Sequence, residues 1–153
     1  MRRLDKNRAG FSLVELVVVV LILGILSAIA APRFLDTSQT ATDNGVRQTL
    51  SVIRTAIDTF AAKNGGALPG GDGLQETFKA DLGEYLRGDE FPICPVDAAR
   101  YNEVRMMDSN DSTPPGAGGT VGTHSWVYNY ETGDFHINSQ DLSADGVTTY
   151  DQF

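Results

Sequence analysis

Between Phe11 and Ala31 the only polar side chains are Ser12, Glu15 and Ser27. As a helix with ~1.5 Å rise per residue, this run extends roughly 31 Å, the thickness of a bilayer's hydrocarbon core. The ten residues before it carry Arg2, Arg3, Lys6 and Arg8 against a single Asp5. A basic tip ahead of an apolar run stays on the cytoplasmic side of a membrane. The spacing therefore predicts that residues 11–31 enter a bilayer and that the remainder faces the far side.

The rest of the chain narrows the class further. It has 153 residues and a formal charge of −8, which leaves room for one small domain. So acidic a chain is unsuited to general nucleic-acid binding, which needs clustered Lys and Arg, and no nucleic-acid partner is expected. Cys94 is the only cysteine, so no internal disulfide forms.

The apolar run admits three readings. The first is a plain membrane anchor. The second is a secretory signal, with Ala28-Ile29-Ala30 as an A-x-A site, cleaved after Ala30 to release a secreted binding protein. The third rests on Glu15. A carboxylate at the centre of a membrane helix costs about 2.5–3.5 kcal/mol, somewhat less near an interface. Neither an anchor nor a signal has a use for it.

Arg8-Ala9-Gly10-Phe11-Ser12-Leu13-Val14-Glu15-Leu16 resembles the leader and cleavage motif of type IV pilins and type II secretion pseudopilins. A basic leader, Gly, Phe, Glu four residues later and a long apolar run make up that motif. The resemblance implies that a prepilin peptidase cuts between Gly10 and Phe11 and methylates the new Phe11 amine. Gly10, lacking Cβ, lets the backbone approach the protease closely. It further implies that Glu15 pairs with the Phe11 amine of a neighbouring subunit in a filament. The implied partners are copies of the chain, other pilin-like subunits, the peptidase and an inner-membrane assembly platform. The implied location is the bacterial inner membrane, single-pass, N-terminus cytoplasmic and C-terminal domain periplasmic, then a periplasmic or surface filament. No cofactor and no catalysis are expected. The modest domain without a cysteine pair leans towards a type II secretion pseudopilin, with a type IV pilus subunit as the alternative. Removing residues 1–10 takes four basic and one acidic residue from 12 Lys+Arg and 20 Asp+Glu, leaving 8 against 19 and a charge of −11.

After the membrane run, Val46, Leu50, Ile53, Ile57 and Phe60 recur at +4, +3, +4, +3, an apolar stripe of helical period. Arg47, Gln48, Arg54, Asp58 and Lys63 occupy the other positions and are expected in solvent. Asn64-Gly65-Gly66 is a stop signal. One helix is expected from about Phe11 to Ala62, with Gly24 and Pro32 bracketing a weaker zone. The resemblance implies that this zone melts when subunits leave the membrane. The expected organisation is a leader at 1–10, a membrane or filament-core segment at 11–31, an amphipathic half at 32–64 and a globular domain at 65–153.

In that domain, Gln75–Leu86 is expected to be helical, and 110–122 a Gly/Pro-rich loop. Ser125–Tyr130 and Phe135–Asn138 read as strands around a Glu131–Asp134 turn, with His136 on the solvent face. Leu142–Phe153 reads as a polar tail. This hairpin and the Leu68-Pro69 to Pro95 run are similar to pilin-like proteins. The implied fold is α+β: one long N-terminal helix whose C-terminal half packs on a small antiparallel sheet. Cys94, His124 and His136 lack any nucleophile signature, and Cys94 is expected to pack as a small apolar residue. Asp141, Ser143, Asp145 and Gly146 resemble the first half of a calcium loop. A solvated turn is the alternative, because Gln152 stands where the closing carboxylate would fall. No metal ligand is assigned.

Overall fold

The computed structural model describes residues 11–88, 90–96, 102–113 and 124–153, apart from the side chains of 32, 35 and 36. The leader with Gly10 and most of the expected 110–122 loop lie outside the described residues. Helix α1 runs Leu13–Lys63 without a break. The chain divides into two compact units, one ending at Ser38 and the other running Gln39–Phe153, and α1 contributes to both.

In the first unit α1 continues through Gly24 and Pro32. Its apolar side chains are exposed all round, from Leu13 to Ile29. Such a surface is built for a non-aqueous environment or for other helices.

In the second unit α1 is one-sided, as the stripe predicts. Val46, Leu50, Ile53, Ala56 and Ile57 are buried, and Phe60 packs half-buried beside them. The helix closes in a Schellman arrangement: Gly66 N donates to Ala61 O at 2.8 Å across Gly65, whose φ is +68°. Helix α2 spans Gln75–Leu82, shorter than the sequence suggests. Gly83, a poor helix former, ends it, and its N–H donates to Ala80 O in a tighter turn. Phe78 and Leu82 face the core.

Three strands form one sheet in the order β1 (Val104–Met107), β2 (Trp126–Asn129), β3 (Phe135–Ile137). The α+β class stands, but the sheet is mixed rather than antiparallel. β2 and β3 pair antiparallel across the Tyr130–Asp134 turn, whereas β1 pairs parallel to β2, with Val104 opposite Trp126. A tight turn can only reverse a strand, while the long 108–125 connection gives the chain room to return in the same direction. Phe78 stacks close to Tyr128 at 4.2 Å between centroids and Trp126 to Phe135 at 5.3 Å, so aromatic rings fill the space between helix and sheet. Trp126 Nε1 donates to Pro92 O at 3.0 Å, which satisfies the buried indole.

The last residues are not a free polar tail. Leu142 bridges to Thr149, Ser143 and Tyr150 are buried, and Tyr150–Gln152 form a short 3-10 turn. Three residues of α1 hold this segment. Asp43 accepts from the Tyr150 hydroxyl at 2.7 Å and from Ala144 N at 3.0 Å. The Arg47 guanidinium lies 3.7 Å above the Phe153 ring. Arg47 stays exposed as expected, whereas Arg54 is half-buried: Nη1 donates to Phe153 O at 2.8 Å, and Nε and Nη2 donate to Phe135 O at 3.0 and 2.7 Å. Burial, and then the Asp43 carboxylate, push the Tyr150 hydroxyl up to about 12.

Gly70 is the tightest backbone position in this core. Its φ is +65°, and a Cβ there would lie 2.7 Å from Phe78 Cβ. Gly70→Ala is therefore expected to lose roughly 2–4 kcal/mol through left-handed strain and overpacking. Chemical denaturation of the detergent-solubilised chain measures it; an unchanged midpoint would contradict the packing described.

Candidate processing and assembly segment

Phe11 and Ser12 precede the first helical residue, and Ser12 O accepts the first α1 bond, from Leu16 N at 3.2 Å. Phe11 is 78% exposed. Phe11 and Ser12 thus lie outside regular structure, and Gly10 lies outside the described residues. Glu15 falls in the first turn of α1 and is exposed. It carries the only charge between Phe11 and Pro32. Leu13–Ala31 is long and apolar enough to cross a membrane, and none of it is buried. Gly24 lies within this span, and a Cβ there would meet nothing within 4 Å, so no packing within the chain demands a glycine. Pro32 sits one residue past the span, in continuous helix; its side chain is outside the described set.

The other candidate residues are not assembled into a site. Cys94 is fully buried, as a small apolar residue would be. His136 lies opposite Val127 in the β2–β3 ladder and is half-buried rather than solvent-facing. Burial lowers its pKa below the ordinary imidazole value; Asp134 and Asp151 oppose that shift, and Arg54 and Arg105 add to it. His124 precedes β2, and its carbonyl accepts from Asn138. Among the described residues, no group of three or more His, Cys, Asp or Glu side chains converges as a metal centre.

The calcium-like stretch closes on itself. Asp145 Oδ1 accepts from Ser143 Oγ, Val147 N and Thr148 N at 2.8 Å each, and Oδ2 accepts from Thr148 Oγ1 at 2.7 Å. Asp141 accepts from Ser139 Oγ at 3.1 Å. The Asp145 carboxylate therefore serves as the hub of a turn, a role the alternating oxygens did not distinguish from ion ligation.

Several surface carboxylates act in the same way. Hydrogen bonds from Thr113, and then the Arg105 guanidinium 2.7 Å away, hold Asp111 down at about 2. Hydrogen bonds likewise lower Asp72, Glu131 and Asp145. A carboxylate whose pKa is depressed in the fold stabilises it above the unfolded value and loses that effect as pH falls through the folded one. Through these carboxylates the denaturation midpoint is thus expected to fall between about pH 4 and 2, below the smaller decline that His136, disfavoured as a cation by burial, brings as pH passes under the ordinary imidazole value. A level profile down to pH 2 would count against these bonds.

Comparison with known proteins bears on the N-terminal segment first. Residues 5–31 match the family described as the prokaryotic N-terminal methylation motif. A type IV narrow pilus major component of Thermus thermophilus is 46% identical over 56 residues, 35% of this chain and 48% of its own. Type II secretion system core protein G of Escherichia coli is 27% identical over 116 residues, 76% of this chain and 72% of its own. A fimbrial protein of Pseudomonas aeruginosa is 42% identical over 109 residues, 71% of this chain and 65% of its own. The chain spans about half the length of the first relatives it matches. No solved structure matches it.

Proposed function

We infer that this chain, which belongs to the type IV pilin and pseudopilin superfamily, is a structural subunit that polymerises into a helical fibre. It is made as a precursor, cut between Gly10 and Phe11 by a prepilin peptidase and methylated on the Phe11 amine. Residues 11–31 hold it in the bacterial inner membrane with the domain on the periplasmic side, and an inner-membrane platform draws it into the fibre. The role is architectural, and no residue is assigned a catalytic step.

One observation carries this reading: the isolated charge of Glu15 in an apolar helix that none of the described residues covers. The positive end of the helix dipole favours a carboxylate in the first turn by only about 0.3–1 kcal/mol. Burying that carboxylate among hydrocarbon costs several times as much. The balance closes when a neighbouring subunit supplies a cation, and the Phe11 amine is the cation that processing creates. Pairing then fixes the axial register between subunits.

The machine we propose is a type II secretion pseudopilus. Support comes from the reach of the likeness to protein G, across 76% of the chain and so well beyond the membrane helix. The second reading, a type IV pilus subunit, is favoured by the 42% identity to the Pseudomonas fimbrial protein over 109 residues. Two measurements test this. Intact mass of the membrane-extracted protein is expected to begin at N-methylated Phe11; a start at Ala31 would mean a secreted protein instead. Electron microscopy of overproducing cells is expected to show short periplasmic fibres, and deletion is expected to stop secretion of exported enzymes. Long surface fibres with secretion intact would favour the pilus.

A further inference from the structure

Of the seven asparagines, Asn110 alone stands in the pattern Asn-X-Ser/Thr, as Asn110-Asp111-Ser112. That pattern is the acceptor for N-linked sugars, and it is used on surface loops of exported proteins. The structure gives this stretch the context the pattern requires. It follows β1 directly, and Ser109, Asn110 and Ser112 are all exposed.

The turn is preformed around the asparagine. Asp108 Oδ1 accepts from Asn110 N at 3.0 Å and from Asp111 N at 2.9 Å. Ser109 N donates to Glu131 Oε2 at 3.0 Å, and Asp111 is tied to Arg105 at 2.7 Å. Backbone and flanking side chains are thus fixed to the sheet, while among the described residues the Asn110 carboxamide and the Ser112 hydroxyl form no hydrogen bond. Asp108 Oδ1 is thus taken by backbone N–H groups, and Asp111 divides its oxygens between Thr113 N and the Arg105 guanidinium. Asn110 is left as the turn's one projecting, uncommitted amide.

We propose that Asn110 is a modification site that takes an oligosaccharide on Nδ2. The donor is a polyprenyl-diphosphate-linked oligosaccharide, and the agent is a membrane transferase working on the periplasmic side. The Nδ2–C1 bond forms as the C1–O bond to the diphosphate breaks. The diphosphate leaves with the electron pair, and the amide proton passes to a base of the transferase. The proposal rests on the topology inferred above, which puts the domain on the side where such transfer occurs. A polar glycan on this turn would coat the fibre surface without touching the core.

The test is peptide mass on protein purified from the membranes of cells that make it. Trypsin cuts after Arg105 and releases the turn in a peptide beginning at Met106. The peptide is expected to exceed its sequence mass by a sugar increment. Asn110→Gln and Ser112→Ala should remove the increment completely, and Ser112→Thr should keep it. Because the Asn110 side chain bonds to none of the described residues, Asn110→Gln should leave the denaturation midpoint unchanged. An unmodified peptide in protein whose Phe11 is methylated would overturn the glycan and leave the fibre reading standing. An increment that persists in Asn110→Gln would put the sugar on a hydroxyl and equally overturn it. An increment lost in Asn110→Gln from protein that is neither cut nor methylated would support the glycan and defeat the fibre reading.

Discussion

Glu15→Ala is expected to leave the chain in the membrane and nearly abolish fibres. Insertion loses nothing, since removing a charge from an apolar helix makes transfer cheaper. On the pairing proposed above, assembly loses a buried pair and leaves the Phe11 amine of the next subunit without a counter-charge. Breaking one side of such a pair costs about 3–5 kcal/mol. At 1.4 kcal/mol per factor of ten, the membrane concentration needed for assembly rises roughly a hundredfold or more. Fibre yield in sheared fractions, normalised to membrane-bound subunit, measures this. If Glu15 only complemented the helix dipole, the change would stay under about 1 kcal/mol, less than tenfold. A near-normal yield would therefore remove Glu15 from the assembly mechanism.

The largest expected effect in the globular unit comes from Arg54→Ala. Arg54 makes three hydrogen bonds to two carbonyls, and one of these, Phe135 O, lies on the outer edge of β3. Removing the guanidinium deletes charge-assisted bonds and leaves that carbonyl short of a partner, at a cost of about 2–4 kcal/mol. For a unit of this size the melting temperature should fall by roughly 10–20 °C. Arg54→Lys should recover only part of the loss, because an ammonium cannot reproduce the planar fork. Lys63→Ala, which removes a contact over the Tyr85 ring and the cation in the last turn of α1, is the control and should shift the melt by a few degrees at most. Equal melts for Arg54→Ala and wild type would show that the Phe153 segment is held by other means.

The contrast between Glu15 and Arg54 shows what a sequence reveals here. Glu15 stands out in the sequence because it breaks a pattern: one carboxylate among apolar residues, for which the helix dipole is only a small compensation. The stripe from Val46 to Ile57 is legible because period and burial coincide. Arg54 was hidden because a charged residue beside a stripe normally points to water. Asp43, Arg47, Leu50 and Arg54 recur at +4, +3, +4, which sets them on one flank of that stripe. That spacing was the available signal. β1 was invisible because Val104-Arg105-Met106-Met107 has neither alternation nor β-branched density, and its parallel pairing depends on a partner about twenty residues away. The Leu142–Phe153 segment looked polar because only two of its apolar groups, Tyr150 and Phe153, dock onto the helix, and they are spaced for that rather than for any regular element, while Leu142 and Val147 stay exposed.

The fastening of that segment has a temporal consequence. Tyr150 bonds a residue 107 positions earlier, Ala144 one 101 positions earlier, and Phe153 one 99 positions earlier. Such contacts lie at the costly end of loop closure and form late. At about 5–20 residues per second, roughly 5–20 s separate the synthesis of Asp43 from that of Tyr150. Throughout that interval Asp43, Arg47 and Arg54 of α1 wait without these partners. The membrane run, by contrast, is complete before residue 32 is made and needs no distant partner. Biogenesis is therefore ordered by the chain itself: anchorage comes first and domain closure last. Any delay in the final third leaves a tethered, half-built subunit at the membrane surface.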